Sequence, residues 1–312
     1  MDKVAIGRTD IKTVPLGIGT WAWGDKWYWT YGKDYGEAQV KSAFKAAIDN
    51  GITLFDTAEI YGFGESESLI GRMTREVGRA SVQIATKYMP APWRVFAQQV
   101  ERALDKSLAR LQTDSVELYQ VHIPFTFFMS QKTLLGVLAK AVKAGKIQAI
   151  GVSNYSAKQM RTAYEILKAH KIPLAANQVH YSLLSRQIET NGVLQTAQDL
   201  GVTILAYSPL EQGLLTGKYT TLINPTGARQ FNSKFGQKYL YRIEPLLRSL
   251  RELSETYGCS PAQIALNWLI RRGTIPIPGA KNAHQAQENA GALGWELDPA
   301  DSALLARVSS SL

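Results

Sequence analysis

Four side chains able to give, hold or take a proton stand at or just after short apolar runs in the first half of this 312-residue chain. Asp56 falls in "ITLFDTA", Lys87 in "VQIATKY" and His122 closes "VELYQVH", while Tyr61 follows Asp56 by five residues in "LFDTAEIYGFGESE". Singly, each has a plain use: an aspartate can cap the next element, a lysine can reach solvent along its stem, and a lone histidine is more often packed than reactive. Jointly they are hard to bury without a mutual network, because a charge taken out of water needs a partner. The network makes chemical sense. A tyrosine titrates near 10, a lysine ammonium beside it favours the phenolate and lowers that value, and an aspartate beside the lysine holds it charged and in place. Such a tyrosine is a general acid suited to delivering a proton near neutral pH, and His122 can orient the oxygen that receives it.

These residues need a scaffold that brings them together, and the hydrophobic pattern predicts one. Eight runs rich in aliphatic and β-branched residues, "VPLGIGTW", "ITLFDTA", "VQIATKY", "VELYQVH", "AIGVSN", "LAANQVHY", "VTILAYSP" and "TIPIPGA", alternate with helical patterns such as "EAQVKSAFKAAIDNG", "QQVERALDKSLARL" and "AKQMRTAYEILKAH". Runs without polar alternation are buried on both faces, which implies a parallel sheet covered by helices. Eight units in about 300 residues predict a closed α/β barrel of the (β/α)₈ type, with residues 1–312 as one domain. Its site would lie where the strands end. Asp56, Lys87 and His122 then close three neighbouring strands about 4.8 Å apart, and Gly62 and Gly64 allow Tyr61 to fold over them. The opening "KVAIGRTDIKTV" reads as a hairpin plugging the barrel floor. Residues 211–245, after the seventh strand, form the longest irregular stretch, of a length usually functional or mobile.

A proton donor needs a partner reaction, and the remaining strand ends suggest hydride transfer. Ser153, Asn154 and Gln178 offer amide recognition, and Tyr207 offers an aromatic face. A carboxamide on a flat ring is what a nicotinamide presents. The eighth strand runs into "IPGAKNAHQAQENA", where a glycine turn meets a helix start whose N–H groups can hold a phosphate.

At these motifs, with "NQVHYSLLSR" and "AYSPLEQGLLTGKY", the chain resembles the aldo-keto reductase superfamily over essentially its whole length, and within it the bacterial, plant-plastid and potassium-channel β-subunit-like branch. The resemblance implies an NADPH-dependent reductase of aldehydes and ketones with a tetrad of Asp56, Tyr61, Lys87 and His122. It further implies cofactor contacts from Gly19, Thr20, Trp21 and Asp56, carboxamide contacts from Ser153, Asn154 and Gln178, and Tyr207 stacked on the nicotinamide. Ser208, Leu210, Gln212, Gly213, Leu215 and Lys218 match its pyrophosphate loop, and Gly279, Ala280, Lys281, Gln285, Glu288 and Asn289 its adenosine site. Where many members carry arginine against the 2′-phosphate, this chain has Gln285, and Gly279 replaces a basic residue, so Lys281 must supply much of the charge. The channel-subunit likeness also raises a different role, a redox-sensing subunit that holds NADPH and turns over slowly.

Other readings fare worse. "GIGTWA" satisfies a dinucleotide G-x-G-x-x-G/A spacing but leads into "WGDKWYWTYGKD" rather than a helix. A zinc hydrolase would draw on Asp56, His122 and His180, without a paired-histidine motif, so no metal is expected. The net charge of +9 is spread over helices among acids, giving no nucleic-acid footprint, though a positive field can attract an anionic cofactor. One cysteine, Cys259, no cleavable leader and no long apolar run predict a soluble cytoplasmic protein away from membranes; the oligomeric state stays open, with a monomer favoured. Trp21, Trp23, Trp27, Trp29, Phe125, Phe127 and Phe128 fall in loops at the mouth and favour apolar or aromatic carbonyl substrates.

Overall fold

Ten strands and ten α-helices follow one another among the described residues of the computed structural model, which are 2–219, 223, 225, 227–310 and 312. A hairpin, β1 (Val4–Ala5) and β2 (Lys12–Thr13), precedes β3 (Ile18–Gly19), α1 (Glu37–Asp49), β4 (Leu54–Asp56), α2 (Glu65–Val77), β5 (Gln83–Tyr88) and α3 (Ala97–Leu111). Then come β6 (Val116–Val121), α4 (Gln131–Lys143), β7 (Ile147–Ser153), α5 (Ala157–Ala169), β8 (Leu174–His180), α6 (Val193–Leu200) and β9 (Thr203–Tyr207). The chain ends with α7 (Gln237–Tyr257), α8 (Pro261–Arg271), β10 (Ile275–Pro276), α9 (Ala283–Ala290) and α10 (Pro299–Ser310). Local chemistry sets several boundaries. Ser130, Ser156 and Ser260 cap α4, α5 and α8 by accepting a backbone N–H from the first turn, and Pro261 occupies the first turn of α8, where its missing N–H costs nothing.

Strands β3 to β10 pair in parallel, each with its neighbour in sequence. The seam closes where the N–H groups of Gly17 and Gly19 donate to Pro276 O at 3.0 Å and Pro278 O at 2.9 Å. Glycine is required at the second of these. A Cβ on Gly19 would stand 2.7 Å from Ile277 O. Eight parallel strands and their covering helices thus form the (β/α)₈ barrel expected from the sequence. The hairpin lies as expected: Ile6 and Ile11 join Leu54, Ala85, Leu118, Ala149, Ala175, Leu205 and Ile275 in an apolar plug inside one end of the barrel. A larger apolar layer fills the space between sheet and helices. No helix among the described residues is long and apolar enough to cross a membrane.

Two expectations need correction. The stretch after β9 is not irregular as far as Pro245. Short 3₁₀ turns cover Glu211–Thr216, Gly227–Phe231 and Ser233–Phe235, and α7 begins at Gln237 with Pro245 inside it. Leu240, Ile243, Leu246, Leu247 and Leu250 are buried along one face, and that stripe outweighs the backbone bond lost at the proline. Trp23 does not line the mouth. It is fully buried against Phe44 and Phe55, with its indole N–H on Ala280 O at 2.7 Å, a seat that satisfies both its area and its one donor.

Candidate active site

The strand ends gather the proton-handling residues. Register places Gly19 beside Asp56 and Lys87 beside Gln120. Lys87 is fully buried, and its Nζ donates to Asp56 Oδ1 at 2.5 Å, to Thr57 O at 2.7 Å and to Tyr61 Oη at 3.4 Å. The Asp56 carboxylate uses its other oxygen for Gln120 Nε2 at 3.0 Å and Gln178 Nε2 at 2.7 Å. His122 meets the edge of the Tyr61 ring with centroids 5.7 Å apart, and its Nδ1 is buried without a hydrogen-bond partner among the described residues. Tyr61 is half-buried in a 3₁₀ turn where Gly62 and Phe63 take positive φ. Gly62 must stay bare, since a Cβ there would come 2.7 Å from Gly24 O.

Electrostatics in this cluster differ in one respect from the sequence-based expectation. Burial raises the Tyr61 pKa above its ordinary 10, and the opposing pull of the Lys87 ammonium does not fully offset it. The phenol is therefore a protonated donor across the physiological range. Lys87 shows the reverse contest: burial pulls its pKa down, but Asp56 and Tyr61 outweigh that and leave the ammonium more stable than an ordinary lysine. Burial, helped by Lys87, lowers the His122 pKa to about 3, so its imidazole is neutral near pH 7.

On the next strands, Ser153 Oγ donates to Gln178 O at 3.0 Å, Asn154 Nδ2 to Ser153 Oγ at 3.1 Å, and Tyr207 Oη to Asn154 Oδ1 at 3.1 Å. The Tyr207 ring stacks on His180, 5.3 Å between centroids and 8° from parallel. Backbone strain collects here: Asn154, Ser208, Glu211 and Gln212 all take positive φ, a conformation that Ser, Glu and Gln seldom adopt. Glu211 is buried and held by Ser182 Oγ at 2.7 Å and Lys234 Nζ at 2.8 Å, with His180 Nε2 2.6 Å from its carboxylate. Burial alone would raise its pKa. Those three partners lower it to about 2.

Beyond β9 and β10 the chemistry becomes cationic. The Lys281 ammonium lies 4.7 Å from the Trp29 ring centre and 4.4 Å from that of Tyr35, and the Arg229 guanidinium lies 5.1 Å from Trp29. Burial first, then Arg229 and Lys218, hold the Lys281 pKa down to about 8 against the pull of Asp34 and Asp25. Three cations that repel one another in a partly buried place suit a polyanion such as the phosphates of a dinucleotide. Gly213, at φ 100°, keeps that loop tight: a Cβ would press on Tyr219 and Lys218 at 3.1 and 3.2 Å. Gln285 Oε1 accepts the Lys281 N–H at 2.8 Å and Asn289 Nδ2 reaches Gly279 O at 3.3 Å, so both brace the loop; Glu288 is half-buried beside them. These features fit a nicotinamide nucleotide.

Of the residues named from the sequence, Asp56, Tyr61, Lys87 and His122 converge, as do Ser153, Asn154, Gln178 and Tyr207. Thr20, Ala280 and Leu215 are wholly buried. Thr20 Oγ1 and N–H both donate to Asp56 O at 2.9 Å. Trp21 borders Tyr61 at 6.5 Å and stacks on Tyr28 at 5.1 Å. Sequence reading missed Gln120, although it precedes His122 by two residues and so shares its strand face. It also missed Arg229, which no local pattern ties to Lys281, and the contact of Tyr28 Oη with Gln212 Oε1 at 2.8 Å. Both Asp56 oxygens are occupied by Lys87 and the two glutamines, and among the described residues no group of three or more His, Cys, Asp or Glu is placed to hold a metal.

The chain as a whole is similar to known proteins. Residues 15–310 match the model of the aldo/keto reductase family. The chloroplastic pyridoxal reductase of Arabidopsis thaliana is 38% identical over 306 residues, spanning 95% of this chain and 82% of that one. The NADH-specific methylglyoxal reductase of Escherichia coli is 31% identical, spanning 100% and 99%. An aldo/keto reductase from Klebsiella pneumoniae, solved with NADP and acetate, superimposes with a TM-score of 0.75 at 28% identity, covering 99% of this chain and 96% of that one. By this match across nearly all of its length, the chain belongs to the aldo/keto reductase family of oxidoreductases.

Proposed function

We propose that this protein reduces aldehydes and ketones to alcohols with NADPH, and that Tyr61 delivers the proton. The observation that carries the reading is the bonded run from Tyr61 Oη through Lys87 Nζ to Asp56 Oδ1 at adjoining strand ends, with His122 against the same phenol. NADPH, when bound, supplies the hydride. Ser153, Asn154 and Gln178 would hold its carboxamide, Tyr207 its ring, and Lys218, Arg229 and Lys281 its phosphates.

The proton is the protein's own contribution. His122, neutral above a pKa of about 3, has no acidic proton to spare near pH 7, so it acts by hydrogen bonding to the substrate oxygen and fixing its position. Tyr61 keeps its proton until an alkoxide develops beside it. As the proton leaves, the Lys87 ammonium stabilises the forming phenolate, and Asp56 keeps that ammonium charged and aimed.

At the mouth, Trp21, Trp27, Phe125, Phe127 and Phe128 are exposed, Trp27 by 84% and Phe128 by 80%. They favour an apolar or aromatic carbonyl compound, and the Arabidopsis relative is named for pyridoxal, itself an aromatic aldehyde. The three cations favour NADPH over NADH, in the direction of the Klebsiella complex and against the name of the Escherichia coli relative. The test is a panel of aromatic, aliphatic and sugar aldehydes, assayed by nicotinamide absorbance with each cofactor. Turnover should be fastest with aromatic aldehydes and NADPH. Preference for NADH, or a stably bound cofactor that no carbonyl compound oxidises, overturns the reading; the second outcome would return the protein to the role of a redox-sensing subunit.

A further inference from the structure

Asp56 Oδ2 receives two amides at once, Gln120 at 3.0 Å and Gln178 at 2.7 Å, and Gln178 Nε2 also lies 3.3 Å from Gln120 Oε1. A carboxylate with a lysine ammonium on its other oxygen can only accept hydrogen bonds. Both glutamines must therefore turn their NH₂ groups toward it. Gln178 has two N–H bonds, one directed to Asp56 and the second to Gln120 Oε1. With both engaged, its Oε1 is the one atom of the amide left to meet a ligand, and it can meet that ligand only as an acceptor.

The neighbouring strand makes room for this. Gln120 on β6 is in register with Gly151 on β7, and a Cβ on Gly151 would stand 2.9 Å from Gln120 Cγ. The strand interior is a costly place for glycine unless something must pass close by. Here the passing group is the Gln120 side chain, fully buried on its way to Asp56 and Gln178.

We propose that Gln120 is a positioning residue that locks the Gln178 amide with its oxygen toward the nucleotide, so that the site recognises the NH₂ of the nicotinamide carboxamide as a donor. Without Gln120, the Gln178 amide keeps a single tether and is free to rotate. The inference rests on the nucleotide reading above, and it joins the two halves of the site: the carboxylate that holds Lys87 beside Tyr61 also holds, through its second oxygen, the amide that reads the cofactor.

The test compares NADP⁺ with its 3-acetylpyridine analogue, in which a methyl group replaces the carboxamide NH₂, by quenching of tryptophan fluorescence. The wild-type protein should prefer NADP⁺ by about two- to tenfold, the range of one neutral hydrogen bond. Gln120→Met should lose that preference by weakening NADP⁺ alone. Gly151→Ala, which displaces Gln120 without altering it, should lose part of it, and it provides the measurement should Gln120→Met not fold. Wild-type protein that binds no NADP⁺ overturns the nucleotide reading. NADP⁺ bound normally, but with both ligands weakened equally in the folded variant, overturns the role of Gln120 alone, as does a wild-type protein that does not discriminate.

Discussion

The two sides of the barrel mouth are built differently. On the β4–β6 side, Asp56, Lys87 and Gln120 sit on strands, at most 2% exposed, and are joined by bonds of 2.5 to 3.0 Å. On the β9–β10 side, Ser208 to Lys218, Arg229 and Lys281 sit on loops and short 3₁₀ turns, several in strained conformations, and among the described residues their cations rest on aromatic faces rather than on carboxylates. The difference suits the two tasks of the proposed reaction. Proton transfer depends on distances fixed to a fraction of an ångström, which strands packed on both faces provide. A dinucleotide must enter and leave, and loops of low local stability allow that. Changes at Lys87 and at Tyr61 beside it should therefore alter the chemical step, and changes on the loop side should alter cofactor affinity and release.

The sharpest way to break this division is Tyr61→Phe, which removes one hydroxyl. Carbonyl reduction should fall by about 10²–10⁴-fold, the range for loss of a general acid, while NADPH binding by fluorescence titration stays within about twofold. A variant turning over at close to the wild-type rate would falsify the assignment of the acid. Lys87→Met comes next. It leaves the Asp56 carboxylate buried with two amide donors and no counter-charge, so about 3–5 kcal/mol of stability should be lost along with turnover. Adding Asp56→Asn should recover part of the stability and none of the activity. If urea melts show the two losses adding independently, the ion pair is not the element that holds the strand ends.

How much of this was legible in the sequence differs between the two sides for the same reason. Asp56, Lys87 and His122 could be found because each closes an apolar run, and an eight-fold alternation fixes where such runs end. Arg229 could not be found. Its neighbour Lys281 lies 52 residues away, and the hydrogen bonds that place it, to Tyr219 Oη at 3.0 Å and Gln212 O at 3.5 Å, join irregular segments without periodicity. The start of α7 was missed because Pro245 reads locally as a breaker, and only the buried leucine stripe on either side of it overrides that signal. The sign of the Tyr61 shift was missed because a sequence shows the neighbouring charge but not the depth of burial that competes with it.

On the loop side, if the Lys281 charge serves the phosphate that NADH lacks, Lys281→Ala should weaken NADPH by about ten- to a hundredfold and leave NADH nearly unchanged. The wild-type protein carries a further signature. The Lys281 pKa in the free protein is depressed to about 8 from 10.5, so between those values the unfolded chain binds the proton more readily and stability of the free protein rises as pH increases through that window. Phosphate binding favours the ammonium and raises its pKa again. NADPH binding should therefore take up a proton above pH 8, and its affinity should fall as pH rises from about 8 while that of NADH stays flat. Equal pH dependence for the two cofactors would remove Lys281 from the phosphate site.

The smallest expected effect tests the division most finely. Tyr28 Oη donates to Gln212 Oε1 at 2.8 Å and so ties the loop after β3 to the strained turn after β9. Tyr28 also stacks on Trp21, which borders Tyr61, so its ring belongs to the catalytic side and its hydroxyl to the cofactor side. Tyr28→Phe removes the hydroxyl and keeps the ring. A half-exposed neutral hydrogen bond contributes about 0.5–1.5 kcal/mol, so NADPH should dissociate about two- to tenfold faster, as read by stopped-flow fluorescence. The chemical step, read as the single-turnover rate with NADPH already bound, should not change, because the stacked ring still supports Trp21 beside Tyr61. Faster dissociation with an unchanged single-turnover rate places the boundary between the two regions within this one side chain. A slower chemical step at equal dissociation would mean that the loop after β3 belongs wholly to the catalytic side.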